Sequence, residues 1–332
     1  MGFTHKVKIF EIIIKKIEVM KLSLFLLVLK LKIKNSQNYF KFYLKNDILF
    51  LEVIMNTLKP KPFVKWAGGK RQILDKLKKY VPLEFNTYYE PFVGGGALLF
   101  ELTPKKAVIN DSNQELMNVY KVLLDYEEFA LMCKELNKHE RLHSEEYYYK
   151  IRDIDRDLKK YQKLTNYQKA ARTIYLNKAC FNGLYRVNSK GLFNVPFNKK
   201  NKVSTYDASN LLLVHTYFVN NDIKIMSIDF EKCVENCQEN DFVYFDPPYD
   251  TFNNSFTNYT EEGFMRKDQE RLFKTFQKLD QKGVKVMLSN HNTDFIKELY
   301  KDYNFHVITA KRNINSKGNK RGLVEEVIIT NY

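Results

Sequence analysis

The sequence predicts an α/β protein, a largely parallel sheet covered on both faces by helices and interrupted once by an inserted helical domain. Three observations carry this. Short apolar runs of strand type alternate with helical patterns after Met55, and that alternation produces parallel strands joined by helical crossovers. The alternation breaks between about residues 127 and 221, where helical patterns follow one another without strands. The chain of 332 residues, 44% hydrophobic and 28% charged, is long enough for two lobes and has a globular composition. Disordered and collagen-like classes are excluded by the same figures.

Residues 1–54 do not share this patterning. There is no Gly or Pro between Gly2 and Pro60, and the longest apolar run, Leu22 to Leu29, has eight residues between Lys21 and Lys30. A membrane-crossing helix needs about 20. No small-residue cleavage site follows the run, as a signal peptide would require. We expect an atypical N-terminal extension, with Met55 as the physiological start. From there the strand-type runs are Tyr88–Phe92, Ala107–Asp111, Ile223–Ser227, Phe242–Asp246, Lys285–Asn290, His306–Arg312 and Glu325–Asn331. Helical patterns include Asn113–Tyr126, Arg266–Lys282 and Asp294–Tyr303. The expected division is a catalytic domain of residues 55–126 and 222–332 with an insertion of 127–221. Four cysteines are too few for a disulfide scaffold and suit a reducing cytoplasm, where we expect the protein, with no membrane association.

The net charge of +15 suggests a polyanionic partner, but Lys supplies 44 of the 54 basic residues, so distribution matters more than total. Residues 1–54 contribute ten Lys against four acids. From Leu158 to Tyr206 there are 11 Lys or Arg and no Asp or Glu, with aromatic and Asn residues interleaved. Such a stretch suits phosphate contacts for affinity and base-edge contacts for specificity. A second basic segment, Lys311 to Arg321, joins the last two strands.

Glycine is scarce, yet five of the 12 fall in two clusters, Gly68–Gly69 and Gly94–Gly95–Gly96. The second follows an apolar strand and leads into a helix, where a glycine turn lets the backbone approach a ligand closely and the helix start offers unbonded N–H groups. The next strand ends in Asp111, whose carboxylate can accept hydrogen bonds from ribose hydroxyls. Together these describe a nucleoside-cofactor pocket. The strand Phe242–Asp246 runs into Asp246-Pro247-Pro248-Tyr249, where two prolines hold the backbone extended just past the sheet. The Asp246 carboxylate and Pro247 carbonyl then offer two rigid acceptors for an exocyclic amino group, and Tyr249 offers a ring on which an extruded base can stack. The spacing of His139 and His143, without a third ligand nearby, places them on an exposed helix face rather than at a metal. Cys233 and Cys237 read as packing residues.

The motifs KWAGGK (65–70), EPFVGGG (90–96), VINDSN (108–113), NGLYRVNSKGLFNVPF (182–197) and DPPY (246–249) occur in the order of the Dam-type DNA adenine-N6 methyltransferases. The sequence resembles that family, the D12 class, group alpha, from about Pro62 to Tyr332, and most resembles enzymes that methylate GATC in restriction–modification systems. The resemblance implies a Rossmann-like, S-adenosylmethionine-dependent methyltransferase sheet carrying an inserted target-recognition domain. It implies cofactor contacts at Trp66, Lys70, Asp111 and Asp246, a pocket shaped by Gly68, Gly69, Glu90, Phe92, Gly94 and Gly96, and a further cofactor-side carboxylate at Asp229. Asp246, Pro247, Pro248 and Tyr249 would be catalytic, and no metal is called for. Arg186 would contact a guanine, with Asn182, Leu184, Asn188, Asn194 and Pro196 around the site and Lys199, Lys200 and Lys202 on phosphates. The partner would be double-stranded DNA, with a cognate restriction endonuclease acting separately and a monomer or weak dimer as the working unit. Methylation of another amino group, in RNA or on a protein glutamine, is the competing enzymatic reading. A DNA-binding protein without catalysis is the non-enzymatic one, and intact Asp246, Tyr249 and Asp111 weigh against it.

Overall fold

A computed structural model describes residues 58–250, 264–311 and 323–332. The readings of residues 1–54 and of most of the Lys311–Arg321 segment lie outside them. In chain order the elements begin with α1 (Leu74–Leu77), β1 (Tyr88–Glu90), α2 (Ala97–Leu102), β2 (Lys106–Asn110) and α3 (Gln114–Val122). Five helices follow before the sheet resumes: α4 (Tyr126–Arg141), α5 (Glu145–Arg152), α6 (Leu158–Gln162), α7 (Asn166–Ala179) and α8 (Ala208–Val219). Then come β3 (Asp222–Met226), α9 (Phe230–Cys233), β4 (Phe242–Phe245), α10 (Arg266–Gln281), β5 (Lys285–His291), α11 (Asp294–Leu299), β6 (Asn304–Lys311) and β7 (Leu323–Thr330).

All seven predicted strands are present and form one sheet in the order β3-β2-β1-β4-β5-β7-β6. The first five strands in this order are mutually parallel, while β7 lies antiparallel between β5 and β6. The reversal was not legible in the strand pattern. Only 11 residues separate β6 from β7, fewer than the dozen or so that a crossover between parallel strands needs, so antiparallel pairing is favoured. The five-residue register of β5 on β7 runs from Met287↔Thr330 to His291↔Glu326 and sets β7 second from the edge of the sheet.

Strand periodicity explains the two apolar layers. Successive side chains point to opposite faces. Phe242, Tyr244, Met287 and Ile328 therefore join the core containing α2, α3 and α8, while Val243, Phe245, Val286, Leu288, Val327 and Ile329 join the core under α10 and α11. Every residue of β4 is buried, as expected for a central parallel strand covered on both sides. Cys233 and Cys237 are packing residues, 3% and 1% exposed.

The predicted Asn113–Tyr126 helix is two. Asn113 caps α3 by accepting from the Leu116 N–H at 2.9 Å, and Asp125 caps α4 by accepting from Glu128 N–H at 2.8 Å. Capping side chains stop a helix as well as start one, because they supply the acceptor that the first turn lacks. The inner faces of α4 and α7 contribute Phe129, Met132, Leu136, Ala170 and Ile174 to the sheet core, and a smaller cluster of Tyr148, Ile151, Tyr175, Phe193, Val195 and Phe197 lies under the segment after α7.

His139 and His143 do not occupy an exposed face. His139 is 3% exposed, its Nδ1 meets the Tyr147 hydroxyl at 2.8 Å, and its ring stacks on Tyr175 at 4.9 Å. His143 Nδ1 meets the Tyr175 hydroxyl at 3.0 Å. The correction has a simple cause: α5 and α7 cover the face of α4 that bears His139, and α4 ends at Arg141, so His143 lies beyond the helix. Burial pushes His139 down to about 4, so it is neutral at physiological pH. Among the described residues no helix is long and apolar enough to cross a membrane.

Candidate active site

The sheet order reverses its winding between β1 and β4, so the crossovers leave these neighbours in opposite directions and open a crevice beyond their carboxyl ends. The two motif loops meet there: Gly94–Gly96 follows β1, and Asp246–Tyr249 follows β4. Asp111 stands just past β2 on one side. Chemistry-bearing residues separated by more than 150 positions are thus brought together by the topology.

The glycine loop is shaped for close approach. Gly94 has φ +47°, and a Cβ there would lie 2.9 Å from Trp66 Cδ1. Gly96, at φ +69°, starts α2 in the left-handed region, where residues other than glycine are strained. Tyr120 donates its hydroxyl to the Gly94 carbonyl at 2.9 Å. Asp111 Oδ2 accepts the Gly94 N–H at 3.1 Å and Oδ1 accepts the Asn113 N–H at 2.9 Å. Burial raises the Asp111 carboxyl to about 6, against the opposing pull of those two N–H donors. Asn110 locks the floor by donating to the carbonyls of Pro91 at 2.9 Å and Ile228 at 3.0 Å.

The tetrapeptide carries a buried charge cluster. Lys70 Nζ is 2.8 Å from Asp246 Oδ1 and 4.5 Å from the centroid of the Tyr249 ring, and it also donates to the Gly68 carbonyl at 2.6 Å. Ser289 donates its hydroxyl to Asp246 Oδ1 at 2.8 Å. Burial raises the Asp246 carboxyl above its ordinary range, while Lys70, Ser289 and Tyr249 act the other way. Glu90, 3% exposed at the end of β1, accepts from the Tyr88 hydroxyl at 2.9 Å. Burial pushes it well above the usual carboxylate range; the Tyr88 hydrogen bond opposes this and the nearby Asp246 charge adds to it. A lysine inside this cluster offsets the mutual repulsion of two carboxyls, since a buried charge without a partner is strongly unfavourable.

Several contributors to this geometry were missed from sequence. Gln269 on α10 donates to the Pro248 carbonyl at 2.9 Å, and Asn290 at the end of β5 accepts the Asp250 N–H at 2.9 Å while donating to Gln269 at 3.1 Å. The Tyr249 hydroxyl donates to Glu326 Oε2 on β7 at 3.2 Å, and the Tyr249 ring meets His291 edge-on at 4.9 Å. No local motif surrounds Ser289, Asn290 or Glu326; Ser289 and Asn290 were legible only as polar residues at the end of an apolar strand, and Glu326 lies inside β7.

The remaining expected site residues divide. Phe92 packs against Phe230, Phe245 and Phe264 under the crevice. Asp229 caps α9 and pairs with Arg271 Nη2 at 2.7 Å, so its carboxylate is engaged by α10. Asn182 to Lys200 form a hairpin-like loop closed by bridges Cys180↔Phe197 and Val187↔Phe193. Phe193, Val195 and Phe197 alternate inward, leaving Asn194 and Pro196 on the other side. Arg186 is exposed and donates Nε to Asn194 Oδ1 at 2.7 Å. Asn188 Oδ1 accepts from the N–H groups of Lys190 at 3.0 Å and Leu192 at 3.1 Å, which shapes the tip. The Pro196 carbonyl accepts the Phe181 N–H at 2.8 Å. Leu184 is half-buried, and Asn182, Lys199, Lys200 and Lys202 are exposed. Arg172, although within the acid-free stretch, is 4% exposed and pairs with Asp155 at 2.8 Å, so it stabilises the insertion rather than facing solvent.

Comparison with known proteins identifies the family. A family model described as D12 class N6 adenine-specific DNA methyltransferase matches residues 66–314. The chain is 47% identical to the Type II methyltransferase M1.LlaDCHI of Lactococcus lactis subsp. cremoris over 83% of this chain and 97% of that protein. It is 43% identical to the Type II methyltransferase M.MjaIII of Methanocaldococcus jannaschii, over 82% of this chain and 99% of that one. It is 31% identical to the DNA adenine methylase of Haemophilus influenzae, over 82% and 93% respectively.

Proposed function

The chain belongs to the D12 class of N6 adenine-specific DNA methyltransferases, and from that premise we propose that it methylates adenine within GATC in duplex DNA, using S-adenosylmethionine, as the modification enzyme of a restriction–modification system. The observation that carries the reading is the meeting of Asp246–Tyr249 with the Gly94–Asp111 pocket across the β1/β4 crevice. The Type II naming of the two relatives above supports the biological setting, with a separate endonuclease as partner.

The residues fit the cofactor. The left-handed Gly94, lacking a Cβ, lets the Trp66 indole close against the loop, and Asp111, bonded to the Gly94 N–H, would present an acceptor for ribose hydroxyls beside it. Trp66, Lys70, Gly68, Gly69, Glu90, Phe92 and Gly96 would complete the wall. When bound, S-adenosylmethionine supplies an already activated methyl group, so the protein's task is chiefly alignment. Asp246 and the Pro247 carbonyl would accept the two N6 hydrogens, orient the nitrogen lone pair and stabilise the positive charge that develops on it. Tyr249 would stack on the extruded base. On the hairpin, Arg186 would read guanine, while Lys199, Lys200 and Lys202 would hold phosphates.

Asp111 gives this reading a pH dependence. Its carboxyl is about half ionised near pH 6, and the ionised form is the better acceptor. Affinity for S-adenosylhomocysteine is therefore expected to be flat above about pH 7.5 and to fall as pH drops from there through 6; calorimetric titration across that range checks this. The function itself is tested by expressing the full chain in a host without adenine methylation and sequencing its modified bases. N6-methyladenine confined to GATC is the expected outcome. Modification at another sequence overturns the target, and none at all overturns the activity.

A further inference from the structure

The Tyr185 side chain of the hairpin reaches the wall of the pocket. Tyr185, in the arm that carries Arg186, stacks on Trp66 with ring centroids 5.1 Å apart and planes at 30°. Trp66 in turn closes over Gly94, whose N–H is held by Asp111. On its other side Tyr185 meets Phe193 of the opposite arm at 5.6 Å, edge-on. The Asn113 side chain, two residues from Asp111, faces the Tyr185 hydroxyl and opposes the upward pull of burial on it. Asp111, Asn113, Tyr185, Trp66 and Gly94 thus form a closed ring of contacts that includes both the pocket carboxylate and the hairpin.

The backbones are tied at the same place. Asn177, 2% exposed at the end of α7, accepts the Lys65 N–H at 2.9 Å and donates to the carbonyls of Lys65 at 2.7 Å and Gly183 at 3.1 Å. Gly183 has φ +67°, and a Cβ there would lie 2.4 Å from Lys65 Cδ. The hairpin root and the segment leading into Trp66 are therefore packed without slack.

We propose that Tyr185 is a positioning residue that couples occupancy of the cofactor pocket to the pose of the target-reading hairpin, so that cofactor and cognate DNA bind cooperatively. The inference rests on the function proposed above for pocket and hairpin. A ligand that orders Trp66 and Asp111 restrains Tyr185, and Tyr185 restrains the arm bearing Arg186; the coupling is reciprocal by thermodynamic necessity. Hydrogen bonds within the hairpin, including Arg186 to Asn194, leave the arm able to fold without the stack.

The test measures S-adenosylhomocysteine affinity of the full chain by calorimetry, with and without a saturating GATC duplex. The wild-type ratio is expected to be about five- to tenfold in favour of the duplex-bound protein. Tyr185→Leu is expected to bring the ratio near one, and Tyr185→Phe, which keeps the stack, to retain most of it. A ratio near one in the wild type, or an unchanged ratio in Tyr185→Leu, overturns the inference. If S-adenosylhomocysteine does not bind at all, the functional reading fails and the inference falls with it. Should Tyr185→Leu fold poorly, hydrogen exchange on the wild type decides. S-adenosylhomocysteine alone should slow exchange at residues 184–188, and unchanged exchange there refutes the coupling.

Discussion

Asp246→Asn is expected to lower the methyl-transfer rate by about 10²–10³-fold, the cost of removing one preorganised group aimed at developing charge, while duplex binding changes less than about twofold. The neutral amide keeps the side chain's shape but offers one acceptor and cannot answer the Lys70 ammonium, which lies 2.8 Å away and is 8% exposed. Asp246→Ala should abolish transfer outright. It also strands Lys70 among buried groups, where an unpartnered charge costs about 3–5 kcal/mol, so its thermal stability must be measured alongside. Single-turnover transfer and fluorescence anisotropy on the same duplex separate the two effects. Parallel losses of transfer and DNA affinity in the Asn variant would contradict the role given to Asp246.

For target choice the largest effect is expected at Arg186. A bidentate Arg–guanine contact discriminates by about 1–3 kcal/mol, or roughly five- to 150-fold. Arg186→Ala should therefore flatten the ratio of kcat/KM between GATC and single-base variants by that factor, with S-adenosylhomocysteine affinity in the absence of DNA unchanged. In the DNA-free protein the guanidinium is held by Asn194 through Nε at 2.7 Å and Nη2 at 3.4 Å. These bonds must loosen or pivot for it to reach a base edge, so Asn194→Ala should alter discrimination in the same direction but by less. Undiminished preference for GATC in Arg186→Ala would remove this residue from the readout.

Much of this site was visible in one dimension because its parts are local. A glycine turn, a strand ending in Asp111 and a Pro-Pro pair after a buried strand each impose their geometry through backbone restrictions acting over a few residues. The absence of acids from Leu158 to Tyr206 was equally plain, yet it misled about Arg172. The acid that pairs with it, Asp155, lies just outside that stretch, and charge counted along a chain takes no account of partners brought in by folding. His139 and His143 failed for a related reason. Their spacing suggested one helical face, whereas α4 ends at Arg141 and the packing of α5 and α7 covers His139.

The sequence by itself determined the strand and helix order, the two motif loops, the type of chemistry they can support and the family to which the chain belongs. Tertiary structure decided the rest. It inserted β7 between β5 and β6, and so brought Glu326 to Tyr249; it set Ser289 and Lys70 on one oxygen of Asp246, and it laid Tyr185 of the hairpin on Trp66 of the pocket. The physical reason is range. Backbone preferences act between neighbours and leave a signature in the order of residues, whereas these contacts join positions 77, 43, 176 and 119 residues apart, and nothing but the assembled sheet and its insertion selects them.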